Sequence, residues 1–218
     1  MFIGHFAVAM AAKKVAPKTS LGMLVLGAQF ADMLWPIFLL LGWEQVRIDP
    51  GHTRFTPLDF VSYPWSHSLV ADLAWGALLG IVYFALRRNF LGPLVIALCV
   101  SSHWVLDWIS HGPDMPLVPG GARYGLGLWN SVPATLSIEI AMYVIAVALY
   151  LSAAPPRSRG SRIAFWALVL FLFVMYLAAS FGPPPPNVRV LVLSALAIWL
   201  TVPWAWYADR SVVVAKSR

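Results

Sequence analysis

An all-α integral membrane bundle is the architecture this sequence predicts, and three observations carry it. Of 218 residues, 60% are hydrophobic and only 11% are charged, with a mean hydropathy of +0.76; soluble domains carry roughly 25% charged residues. Apolar runs of about 20 residues, the length that crosses a bilayer, recur along the chain. Lys and Arg fall between those runs, on alternate sides, rather than in one cluster.

Six spans follow, at roughly 20–43, 65–86, 90–109, 131–151, 163–181 and 188–207. A shorter helix over about 2–15 precedes them, too short to cross alone, and so re-entrant or interfacial. KVAPKTS, with its Pro and its Thr-Ser pair, is suited to starting the first span. Lys13 and Lys14 follow the first apolar stretch rather than precede it, which argues against a cleavable signal peptide. Residues 1–152 read as a site-bearing core of the N-terminal hairpin and spans one to four. Residues 153–218 read as two scaffold spans of the same membrane domain.

Loop charges test this threading. With the N-terminal turn cytoplasmic, that side holds Lys13, Lys14, Lys18, Arg87, Arg88, Arg157, Arg159, Arg162, Arg210, Lys216 and Arg218. The other side holds only Arg47, Arg54, Arg123 and Arg189, as the positive-inside rule expects. The formal charge of +6 is then a record of insertion, with anionic headgroups rather than nucleic acid as its partner. Eleven Trp and seven Tyr suit aromatic belts at the two interfaces. A single cysteine, Cys99, excludes a disulfide framework and a thiolate cluster. Of the outer loops, Gly112–Asn130 is expected to pack as a compact cap, and Pro183–Pro186 to form a stiff turn.

Asp32, Asp72, Asp107 and Glu139 fall inside the spans. Each costs at least about 2.5 kcal/mol at the bilayer centre if left unpaired. Threading places all four, with His67, His103 and His111, in the outer half of the membrane. His5 joins them if the chain reverses near Pro17-Lys18, because His5 and Asp32 then lie at similar depth. Pro36 cannot donate to the Asp32 carbonyl, so a free backbone oxygen is expected at the same level. In SHWVLDWISH, residues four apart advance only about 40° around a helix, so His103, Asp107 and His111 form one stripe. Such a pair can bind one metal ion. His and carboxylate donors without cysteine suit zinc, with manganese or iron as alternatives, better than copper(I). His111, before Gly112-Pro113, also fits a plain helix end. His52 reads as ordinary surface, and Ser66 as a helix cap.

The order His5, Asp32 in AQFADMLWP, His67 in PWSHSL, then SHWVLDWISH resembles a bacterial family of multi-span, membrane-bound metal-dependent hydrolases. The likeness covers about residues 1–120. It implies a bacterial inner-membrane protein with metal-site roles for His5, Asp32, His67, His103 and Asp107. The family's Pro-Asp-x-Asp element stands here as Ala31-Asp32-Met33-Leu34, without its second acid, and its Arg-Gly-x-Thr is replaced by Tyr63-Pro64-Trp65-Ser66.

The expected activity is hydrolysis, at a divalent metal, of a lipid ester or phosphoester. Glu139 is the expected general base, Asp72 orients a ligand histidine, and His111 is a further candidate ligand. Two other readings compete. One is an ion or proton transporter, which would need polar residues through the inner half of the bundle. The other is a non-catalytic subunit of a larger membrane complex, contacted through the last two spans, which carry no ionisable core residue.

Overall fold

A computed structural model describes residues 1–211, so Lys216 and Arg218 of the charge count lie outside the described residues. The described residues form an all-α bundle with ten α-helices and two small hairpins. In order these are α1 (Ile3–Val15), α2 (Leu21–Ala28), α3 (Phe30–Leu40), β1 (Gln45–Ile48), β2 (Leu58–Ser62), α4 (Pro64–His67) and α5 (Leu69–Arg87). Then follow α6 (Leu91–Ser110), β3 (Met115–Pro116), β4 (Arg123–Tyr124), α7 (Val132–Ala153), α8 (Arg159–Phe181), α9 (Val188–Ala195) and α10 (Thr201–Asp209). Five helices are long and apolar enough to cross a membrane, counting Val188–Asp209 as one; α2 and α3 add a sixth as a pair bent by 54°.

Local chemistry accounts for most boundaries. Ser20, Ser68, Ser131, Ser158 and Asn187 each accept a backbone N–H from three residues on, so each caps a helix start. Ser68, rather than Ser66, caps α5. Ser66 lies in the separate turn α4, which the sequence reading had merged with the second span. The bend in the first span falls at Gln29, seven residues before Pro36, which α3 accommodates in its interior.

α1 packs inside the bundle against α7, α2 and α6, with His5, Phe6, Met10 and Lys13 buried, so it does not lie on the surface. α5 and α6 pair closely because Gly76 and Gly80, four residues apart, face the α6 backbone. A Cβ at Gly76 would sit 2.9 Å from the Ala97 carbonyl oxygen, and one at Gly80 3.1 Å from that of Pro93. Small residues in this spacing let membrane helices approach. Large apolar side chains such as Ile81, Leu86, Leu170 and Leu200 point outward, the surface a bilayer solvates.

One end of the bundle is roofed. Strands β1 and β2 pair antiparallel, as do β3 and β4, and neither hairpin was expected from the sequence. The expected compact cap is present: Leu126 N–H donates to the Trp108 carbonyl, Gly127 N–H to that of His111, and Trp104 Nε1–H to that of Pro116. Trp35, Val46, Tyr63, Trp104 and Met115 form a small apolar core beneath this roof. Pro183–Pro186 lies in the link between α8 and α9.

Candidate metal centre

Asp107, in the last two turns of α6, is the point where four histidines meet. His5 Nε2 is 3.0 Å from Asp107 Oδ1. The Nε2 atoms of His103, His67 and His111 lie 3.3, 3.7 and 3.9 Å from Oδ2. Asp32, near the start of α3, stands 3.5 Å from His67 Nε2 and 3.7 Å from His103 Nε2. The rings of His5 and His103 stack with centroids 3.7 Å apart. The Met1 amino group also contacts Asp107, and donates to Ser110 Oγ at 3.1 Å. All four histidines and Asp107 are buried; Asp32 alone keeps a partly exposed side chain, at 30%.

The outer faces of three imidazoles settle their tautomers. His103 Nδ1 lies 2.8 Å from the Ala28 carbonyl, which can only accept, so Nδ1 carries the proton. That carbonyl is available because Ala28 ends α2 at the bend, where the last helical carbonyls lack a ladder partner. His67 Nδ1 lies 2.6 Å from Ser66 Oγ, whose single proton goes to Glu44 Oε2 at 2.7 Å, so His67 Nδ1 donates as well. His111 Nδ1 donates to Asp114 Oδ1 at 3.1 Å. In its neutral form each ring therefore turns an Nε2 lone pair inward, the arrangement that orients metal-binding histidines. His103 Nε2 is fully buried without a hydrogen-bond partner.

Two overlapping sets could hold an ion: His5, His103 and Asp107, and Asp32, His67 and His103. Ligands about 2.0–2.1 Å from one tetrahedral ion lie about 3.3 Å from each other. The 3.3–3.7 Å separations of the His67 and His103 Nε2 atoms from Asp32 Oδ1 and Asp107 Oδ2 are of that order, and too long for good hydrogen bonds. The donor set, its geometry and the orphaned Nε2 could hold a metal ion.

Other expected residues stand elsewhere. His111 is the residue that ends α6 and touches the hub only at 3.9 Å, outside both sets; it packs under Trp129 and Phe60. Asp72 is buried in the first turn of α5, but neither carboxylate oxygen has a hydrogen-bond partner, so it orients no histidine. Glu139 holds the backbone with one oxygen: its Oε2 accepts from Phe2 N–H at 2.9 Å and Gly4 N–H at 3.1 Å, closing the start of α1, while its Oε1 is buried without a hydrogen-bond partner. Glu44 was missed by the sequence reading. It is buried, and its Oε1 accepts from Trp65 and Ser66 N–H at 2.8 Å while Oε2 holds Ser66. Its place just beyond an apolar span, next to Trp43, resembled an ordinary loop acid.

Set beside protein-family descriptions, curated proteins and solved structures, the chain matches none of them.

Proposed function

We propose that this protein is a membrane-embedded, metal-dependent hydrolase acting on a lipid ester or phosphoester. The observation that carries the reading is the convergence of the His67 and His103 Nε2 atoms, their Nδ1 atoms held from outside, on both Asp107 and Asp32 within apolar helices. Unpaired polar groups are costly in that setting, and ionisable residues there mark function.

His67, His103 and Asp107 would hold the ion, with His5 or Asp32 completing the set; zinc suits the donors, and manganese or iron are the alternatives. A bound divalent ion supplies Lewis acidity and lowers the pKa of water to near 7. Ser66 with Glu44, and the Ala28 carbonyl, keep the two central imidazoles in their ligating tautomer. Asp32 is the acid at the open edge of the cluster, placed to accept a proton from a water entering there. Asp32 suits that role better than Glu139, because Asp32 lies against His67 and His103 and is partly exposed, whereas Glu139 is buried and holds the start of α1 through Oε2. The helix packing around His5 and His103 excludes bulk water, which strengthens every charge interaction within the cluster. Lys13 and Lys14 on the cytoplasmic side, as the positive-inside rule favours, would leave this centre in the outer half of the bilayer, which the family resemblance implies is a bacterial inner membrane.

Metal content of purified protein tests the reading. Wild type is expected to carry stoichiometric metal, lost in the double variant His103→Ala, Asp107→Ala. A metal-free wild type would sink the proposal.

A further inference from the structure

The last two spans, whose ionisable residues lie only near their ends, have a relation to the buried cluster. A cavity of about 230 Å³ runs between α8 and the 188–209 span, bounded on α8 by Phe171 and Met175 and on the other side by Ala195 and Ile198. Its inner end reaches Phe6 and Asp32. Asp32 is the one ionisable member of the two candidate donor sets that is partly exposed, and this cavity is where that exposure lies. The way in from the end of the bundle is roofed: His111 is buried beneath Trp129 and Phe60, and the hairpins cover Tyr63 and Met115.

The cavity opens on the flank of the bundle, where the neighbouring side chains Leu170, Val174, Leu193 and Leu200 are apolar and exposed. The last span makes room for it. Helix α9 gives way to a 3-10 turn over Leu196–Leu200, and the small residues Ser194, Ala195 and Ala197 line the gap. The cavity's polarity is graded, with apolar walls at the flank and the Asp32 carboxylate at the inner end, 3.5 and 3.7 Å short of the His67 and His103 imidazoles behind it. An amphiphile with one slender hydrocarbon chain has the matching profile.

We propose that this groove receives a single hydrocarbon chain of a membrane lipid from the side and brings the lipid's polar end to Asp32. The assignment rests on the His/Asp cluster being the reactive centre, and it makes the substrate an acyl- or prenyl-chain lipid rather than a water-borne molecule. α8 and the last span are then the chain-binding wall of the site.

Photo-cross-linking tests it on the full-length protein in phosphatidylcholine nanodiscs doped with a fatty acid carrying a mid-chain diazirine. Mass spectrometry is expected to find label at Phe171, Met175 and Ile198 several-fold above that at Leu78 and Ile81, exposed on the α5 flank. Ala195→Phe and, independently, Met175→Trp fill the groove and are expected to remove that excess while α5 labelling persists. Equal labelling of the two flanks would overturn the proposal. So would an excess that survives both substitutions, or cross-links joining two copies of this chain at these residues. Asp32→Asn leaves the walls intact and keeps the groove label. Metal content measured on the same samples judges the hydrolase reading separately, because a metal-free protein that still labels in the groove would refute only that reading.

Discussion

At the scale of single residues, the cluster depends on hydrogen bonds made on its far side. His67 is held through Ser66 to Glu44, a carboxylate that also receives two backbone N–H groups of the α4 turn. Removing such an outer partner typically lowers metal affinity about 10–100-fold. Ser66→Ala is therefore expected to weaken binding by that factor without abolishing it, read by competition with a chromophoric chelator. An unchanged affinity would show that His67 is not a ligand. His5, Asp32, His67, His103 and Asp107 could be picked out in the sequence because polar residues in apolar runs are conspicuous. Glu44 could not, since its contact with Ser66 spans 22 residues across a hairpin that no apolar pattern announces.

Among the elements, α1 shows how a buried helix start is satisfied. The first N–H groups of a helix have no partner of their own, and within the bundle no water replaces one. Glu139, on α7, accepts from Phe2 and Gly4 and supplies that partner. Loss of a capping acceptor costs about 0.5–2 kcal/mol. Glu139→Ala should lower the thermal midpoint in detergent, and Glu139→Gln, which keeps a carbonyl oxygen, should restore most of it. Both variants should retain metal, whereas loss of metal in either would return Glu139 to the centre. The bend in the first span is a second lesson at this scale. Pro36 was the visible breaker in the sequence, yet the turn of 54° occurs at Gln29. A proline only removes one donor, and packing decides whether the helix yields there or, as here, where Ala28 can meet His103.

Across the whole molecule, a second polar knot lies at the far end of α1 from His5. Lys13 Nζ meets Asp209 Oδ2 at 2.5 Å and donates to the Thr19 carbonyl at 2.8 Å. Asp209 also accepts from Leu21 N–H at 3.0 Å and Tyr150 Oη at 2.9 Å, so one carboxylate joins α1, α2, α7 and α10. Breaking a buried ion pair from one side costs roughly 3–5 kcal/mol, because the other charge stays behind. Lys13→Met is expected to cause a large drop in the detergent melting temperature. Adding Asp209→Asn should recover part of it, since the amide oxygen can still accept from Leu21 or Tyr150. If Lys13→Met is neutral, the knot contributes no net stability. In the sequence Lys13 counted as one more topogenic charge; nothing local distinguishes it from the exposed Lys14 beside it.

Span number, span limits to within a few residues and the five members of the two candidate donor sets were legible in the sequence alone, which also offered His111. Apolar length and the isolation of a polar group within it are local properties, legible one segment at a time. Only the tertiary structure decided which atoms face inward, that Glu139 serves a helix start, that Asp72 stays apart, and that the last two spans border the cluster. Those outcomes depend on contacts such as His103 with Ala28 and Phe2 with Glu139, 75 and 137 residues apart, which helix packing brings together.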